Sequence, residues 1–321
     1  MDTALHLAGL GIGVVLIVWG AETFAKHLAV ASARLGVTVF ALGILLAGAE
    51  PEELVTSMTA SLRDSPAIAL GNVVGTNIAI CLVALGVGAS VAALPFGRSV
   101  RRYALLGLPL GAAAAWIAWD GAVTRIEGLA LVGLYVVFVA TIWRIERRPP
   151  ALGETAEIEE ALEDLGTPDA RTGRVGRELA FVLAGIAAMA VGAVMIVEGV
   201  RGITTVEASQ TTLALTIVGF ATAFELVVLA FTSARHGVTE AVVAGVIGSF
   251  AYNVTMTLGA GALVRPLRVI DATRLHGPWV LMLAALVLVI ALGWRHGVLT
   301  RRAGAILLGA YPIALVLLVR A

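Results

Sequence analysis

Charge is the first thing this sequence is short of. Only 14% of its 321 residues are Asp, Glu, Lys or Arg, against about a quarter in a soluble domain, so water cannot be its main solvent. Cysteine is nearly missing as well: Cys81 stands alone, which excludes an internal disulfide, and no Cys/His group has zinc spacing. Cys81 reads as a small residue in a packed helix. The five histidines lie mostly near the ends of apolar runs, where a wet surface role is the default. No His-Glu-x-x-His, Gly-x-Ser-x-Gly or paired Asp-rich motif is found, which argues against a membrane-embedded enzyme. A basic leader is also missing, because Met1-Asp2-Thr3 opens directly into an apolar run and the first cation is Lys26. No cleaved signal peptide is expected.

What is present is apolar surface, 59% of residues, with 36 glycines. A bilayer core about 30 Å thick takes about 20 apolar residues per helix. Ten runs are long enough, near 5–31, 37–62, 66–93, 102–119 and 124–143, then 179–200, 208–234, 238–262, 278–294 and 303–319. They lack the alternation of barrel strands, and a helix satisfies its own backbone polar groups in lipid. An all-α, multi-pass integral membrane protein of a cell membrane is expected, with the lipid bilayer and small cations as partners and no nucleic acid.

Arginines collect in alternate loops: Arg98, Arg101 and Arg102; Arg144, Arg147, Arg148, Arg171 and Arg174; Arg295, Arg301 and Arg302. Basic loops stay cytoplasmic, so both termini are expected outside. Residues 145–178 form the one extended polar stretch, opening on Pro149-Pro150 and carrying Glu154, Glu157, Glu159, Glu160, Glu163 and Asp164. Within it Ile158, Leu162 and Leu165, followed by Gly166, suggest a short amphipathic surface helix. It reads as a cytoplasmic acidic linker rather than a regulatory cation site, since its spacing is not that of an EF-hand loop. It divides the chain into 1–144 and 179–321.

The two halves repeat. Gly20-Ala21 recurs as Gly192-Ala193 and Glu53-Leu54-Val55 as Glu225-Leu226-Val227, both at an offset of 172. Val73-Val74-Gly75-Thr76 matches Val246-Ile247-Gly248-Ser249 at an offset of 173. Each copy holds five spans, an odd number, so the second must enter the membrane from the opposite side. Inverted repeats of this kind hold substrate near the bilayer midplane, and they make Glu53 and Glu225 neighbours.

A carboxylate at the bilayer centre costs about 2.5 kcal/mol or more and usually has a function. The second run carries Glu50, Glu52 and Glu53 beside Gly48 and Pro51. Glu50 and Glu53 share a helix face while Glu52 points away, which makes it the weaker candidate. Pro51 breaks a backbone bond and frees carbonyl oxygens for a cation. In the second half Gly219, Thr222 and Glu225 follow a helical spacing, with no proline to make a break. The partner spans bring Thr76 and Asn77, and Ser249 and Asn253, each after glycines that let helices approach. Asn72 reads equally as a helix contact or as a support for a ligand. Glu22 and Glu198 sit at unmatched registers and read as packing, and Glu240 reads as a helix start. Carboxylate, hydroxyl, amide and carbonyl oxygens suit hard cations such as calcium or sodium. No cofactor is expected.

The stretches Gly48-Ala49-Glu50-Pro51-Glu52-Glu53-Leu54 and Ala69-Leu70-Gly71-Asn72-Val73-Val74-Gly75-Thr76-Asn77-Ile78 resemble the first alpha repeat of sodium/calcium exchangers, and the resemblance covers nearly the whole chain. Each repeat of that family carries Gly-Thr-Ser-x-Pro-Glu-Leu and then Gly-Asn-x-x-Gly-Ser-Asn. The resemblance implies that Glu53 and Glu225 are the central cation-binding carboxylates, with Thr76 and Ser249 at the serine positions and Asn253 at a later amide-or-acid position. It also implies ten helices and alternating access. The chain departs from the pattern at Ala49-Glu50 and Ala221-Thr222 for Thr-Ser, at Glu52 and Phe224 for proline, and at Ile80 for the later Asn. These changes remove neutral ligands and add Glu50, which bears on ion number, selectivity or proton coupling.

The expectation is therefore a secondary antiporter exchanging calcium for sodium. The runner-up is a calcium/proton antiporter, because adjacent carboxylates can trade a cation for a proton. A non-transporting membrane ion sensor is a third possibility.

Overall fold

The computed structural model describes residues 3–34, 50–147, 175–236 and 240–320. The expected surface helix of the acidic linker, and Gly48 and Ala49 before the first carboxylate triplet, lie outside the described residues.

Among the described residues the elements are helices joined by short turns, apart from two ladders of two residues per strand. Helix α1, Thr3–Arg34, runs without interruption through apolar sequence. Helix α2, Pro51–Leu62, begins on a proline at its first position, where the missing N–H costs nothing. It turns through Asp64 at φ 56°, a left-handed conformation that Asp tolerates. Pro66 then opens α3 in the same way. Helix α3, Pro66–Val91, contains a π-helical segment at Ile80–Ala84. Helices α4, Arg98–Ile117, and α5, Arg125–Glu146, complete the first half. The start of α5 is closed by a capping box between Thr124 and Glu127.

The second half opens with α6, Val175–Ile203. Helix α7, 207–222, holds a π segment at Ala214–Val218, and α8, Phe224–His236, follows a single turn residue, Ala223. Helix α9, 240–264, holds a π segment at Asn253–Thr257. Helices α10, Thr273–Trp294, and α11, Arg301–Arg320, end the chain. Strand β1, Leu94–Pro95, pairs antiparallel with β4, Val298–Leu299, and β2, Ala122–Val123, with β3, Leu267–Arg268.

Among the described residues, eight helices are long and apolar enough to cross a bilayer. The two expected spans outside that set have physical reasons. Only the 12 residues of α2 are described from the second run, and α4 starts with Arg98, Arg101 and Arg102, which dilute its hydropathy.

Two spans are central: the most apolar stretch of α3 is 100% buried and that of α9 is 89% buried, against 28–44% for the other six. Helices α1 and α6 lie antiparallel along one another. A Cβ added to Gly20 would sit 2.7 Å from the Gly185 carbonyl oxygen, and one added to Gly13 would sit 2.8 Å from that of Gly192. Without a hydrophobic drive between helices in lipid, such backbone contact is what holds a pair together.

Candidate cation-binding site

The site is built at the start of α2 and at the break between α7 and α8. Glu50 precedes α2 in a non-helical conformation, φ −112° and ψ 71°, while Glu52 and Glu53 occupy its first turn. The amide ends of the helix favour negative charge there. Glu50, Glu52 and Glu53 are 2%, 3% and 1% exposed, so all three carboxylates are out of water. In the second half the break falls at Ala223, between Thr222 and the start of α8. The sequence shows no proline there. The preceding π segment supplies the irregularity instead, and such segments are often found at functional sites.

Around Glu53 the two halves interlock. The Asn72 side-chain amide donates to Glu53 Oε2 at 2.6 Å, the Thr222 hydroxyl donates to Asn72 Oδ1 at 3.2 Å, and Thr222 and Thr76 hydroxyls lie 2.9 Å apart. A threonine has one proton to give, so Thr222 cannot donate to both and its hydroxyl oxygen remains an acceptor in this ring. The close approach rests on glycine: a Cβ on Gly219 would meet the backbone of Gly75 and Thr76 at 2.6 Å.

Around Glu50 the roles of the halves are exchanged. The Asn253 amide donates to Glu50 Oε2 at 3.2 Å, and Thr257 donates to Asn253 Oδ1 at 3.2 Å. The Ser249 hydroxyl, which acts on the Glu50 carboxylate, has a single proton and donates it to the Gly245 carbonyl at 3.3 Å. Asn253 opens its own π segment, which rotates the amide relative to the regular helix before it.

Sequence symmetry put Glu225 beside Glu53. The half-buried Glu225 lies at the start of α8, and its charge acts on Glu52, the residue set aside on angular grounds. Glu52 is nearly as buried as Glu50 and Glu53, so its 100° offset from Glu53 does not take it out of the interior.

Several buried polar atoms here have no hydrogen-bond partner: Glu50 Oε1, Glu52 Oε2, Glu53 Oε1, Thr56 Oγ1, Ser57 Oγ and both amide atoms of Asn77. Each such atom carries a desolvation cost of about 1–3 kcal/mol, and native proteins hold few of them. Thr56 and Ser57 were not singled out from sequence, although two hydroxyls one turn after Glu53 in an apolar run were a readable signal. Asn77 lies fully buried on α3. Among the described residues, no Lys, Arg or His pairs with Glu50, Glu52 or Glu53, and no three His, Cys, Asp or Glu side chains form a metal-holding group by themselves. Any cation held here is completed by hydroxyl, amide and carbonyl oxygens, a hard donor set.

Two other acids lie apart from this centre. Glu198 ion-pairs with Arg63 at 2.8 Å and with Arg201 at 3.5 Å, and Glu22 is exposed. Glu240 starts α9 and accepts from the Ser99 backbone N–H at 2.8 Å.

Asn72→Leu keeps the volume near Glu53 but removes the amide that holds Oε2. A cation held at this centre is expected to bind about tenfold more weakly, equivalent to about 1.4 kcal/mol. Equilibrium titration of purified protein checks this, and an unchanged affinity removes Asn72 from the site.

Residues 5–144 and 178–320 match the family described as sodium/calcium exchanger protein. The chain is 27% identical over 321 residues to the inner membrane protein YrbG of Escherichia coli (strain K12), covering 98% of this chain and 97% of that one. It is 25% identical over 301 residues to the putative antiporter CaxA of Alkalimonas amylolytica, covering 90% of each. A shorter stretch of 80 residues, 24% of this chain and 23% of the relative, is 38% identical to the sodium/calcium exchanger MaX1 of Methanosarcina acetivorans. In fold it is similar to the sodium-calcium exchanger NCX_Mj soaked with sodium and strontium. The TM-score is 0.62 at 22% identity, over 98% of this chain and 99% of that one.

Proposed function

Because this chain belongs to the sodium/calcium exchanger protein family and is an all-α membrane cation antiporter, we propose that it exchanges calcium for sodium by alternating access at the carboxylate centre between α2, α3, α7, α8 and α9. The ligands proposed are Glu53, Glu225 and Glu50, with Thr222, Thr76, Ser249, Asn253 and Asn77. The observation that carries this reading is the meeting of partnerless, fully buried carboxylate oxygens with hydroxyls and amides from both halves, at the start of α2 and the break before α8. Uncompensated charge in lipid is costly, and a bound divalent cation removes that cost. Because the site holds acids and neutral oxygens, it attracts cations and repels anions.

The architecture proposed with it is ten spans in two inverted repeats, 1–144 and 179–321, joined by the cytoplasmic acidic linker 145–178, with both termini outside. Support comes from features recurring at the repeat offset. The helix start at Pro51 corresponds to the break at Ala223, and the π segment at Ile80–Ala84 corresponds to that at Asn253–Thr257. Gly13 and Gly20 correspond to Gly185 and Gly192, so each glycine contact in the α1–α6 seam pairs one position with the other's repeat mate. Inverted repeats with broken helices at the middle are the usual frame for alternating access.

The test is isotope flux in proteoliposomes. Outward sodium gradients are expected to drive calcium uptake, which collapses when the sodium gradient is dissipated. Calcium uptake that follows a pH gradient and ignores sodium would overturn the choice of sodium as the coupling ion.

A further inference from the structure

Four carboxylates crowd the centre, and the ligand set proposed above uses three of them. Glu52 is left over. It is 3% exposed, its Oε2 has no hydrogen-bond partner, and it carries no ion pair among the described residues. One turn further along α2, Thr56 is fully buried and its hydroxyl is also without a partner. Residues four apart lie on one helix face, so Glu52 and Thr56 present two unspent oxygens to the same side. Thr56 is also three residues beyond Glu53, so this face adjoins the one on which Glu53 meets Asn72 and, through it, Thr222. Of the other carboxylates, Glu225, at the start of α8, has the largest electrostatic effect on Glu52.

Resting on the antiporter reading, we propose that Glu52 and Thr56, with Glu225 across from them, form a second cation position beside the Glu53 centre. Its ligands are oxygens only, so its ion is a hard cation of the kind the protein carries. The physical case is the cost of the alternative. A structural acid in a helix interface spends both oxygens on donors, and here a carboxylate oxygen and a hydroxyl on one face are left unbonded in the most buried part of the molecule. The sequence pattern of the resembled exchangers places proline where Glu52 stands, so this position adds a negative group that a proline would not supply.

The experiment measures calcium bound per chain at saturation, by equilibrium binding of radiolabelled calcium to the purified full-length protein, together with sodium-driven calcium uptake. Glu52→Gln is expected to reduce saturating calcium by about half while leaving a remaining class of sites with wild-type affinity, and Thr56→Ala to weaken only the class that Glu52→Gln removes. Thr56→Ser, which keeps the hydroxyl, should restore it. Thermal unfolding in cation-free detergent shows whether each variant is folded. If Glu52→Gln does not fold, Thr56→Ala and Thr56→Ser carry the test alone. Folded variants that bind wild-type amounts of calcium with wild-type affinity overturn the second position and leave the antiporter reading intact. Wild-type protein that neither binds nor moves calcium overturns that reading, and this inference with it.

Discussion

Replacing Glu53 by Gln is expected to abolish sodium-driven calcium uptake, lowering it by at least about 100-fold, or about 2.7 kcal/mol of lost stabilisation. Glutamine keeps the size of the side chain, so Asn72 still finds an oxygen to donate to in place of Oε2. The other end of the side chain then becomes an NH2 group, where Glu53 Oε1 now has no partner. A donor aimed into a cation site repels the ion as well as failing to ligate it. The same change removes a buried charge that no Lys, Arg or His pairs with among the described residues, so the cation-free protein should unfold at the same temperature as wild type or higher. These two readouts together separate a lost ligand from a lost fold. Uptake above about a tenth of wild type, measured in proteoliposomes with equal protein content, would sink the assignment.

The second large effect is expected at Gly219. A Cβ there would lie 2.6 Å from backbone atoms of Gly75 and Thr76, and neither helix can yield a rotamer because the clash is with main chain. The Leu215 carbonyl crowds Gly75 from the other helix in the same way. Gly219→Val therefore separates α7 from α3, and with them the Thr76–Thr222 and Asn72–Thr222 contacts at 2.9 and 3.2 Å. Overpacking costs about 1–3 kcal/mol, with about 1 kcal/mol more for each hydrogen bond lost. The expected result is a lower unfolding temperature in detergent and no thermal stabilisation by calcium. A Gly219→Val protein that calcium stabilises as it does wild type would show that these contacts do not shape the site.

The parts of this protein legible in the sequence are those whose physics is local. An apolar run long enough to cross a bilayer announces itself residue by residue, and so does an acid placed inside one. That is why Glu50, Glu53 and Glu225, and the hydroxyls and amides that follow the glycines at Gly75 and Gly248, can be proposed as ligands from sequence alone. Helix α4 shows the limit of this reasoning: its three leading arginines leave it outside the set of long apolar helices although it is 20 residues of continuous helix. The break before α8 shows another limit. Glycine, a π segment and a single turn residue interrupt that helix at Ala223, and no residue type there signals a break as Pro51 does.

The sequence by itself determined the solvent of this protein and the oxygen-bearing side chains available to the proposed site, because transfer cost and residue identity do not depend on what lies across a helix interface. Only the tertiary structure decided which oxygen meets which partner. Glu50 bonds Asn253, Glu53 bonds Asn72, and Glu225 acts on Glu52. Adjacent residues on a helix diverge by about 100°, so the phase set by the non-helical Glu50 and by the turn at Ala223 decides which carboxylate faces which helix, and that phase is a property of the packed whole.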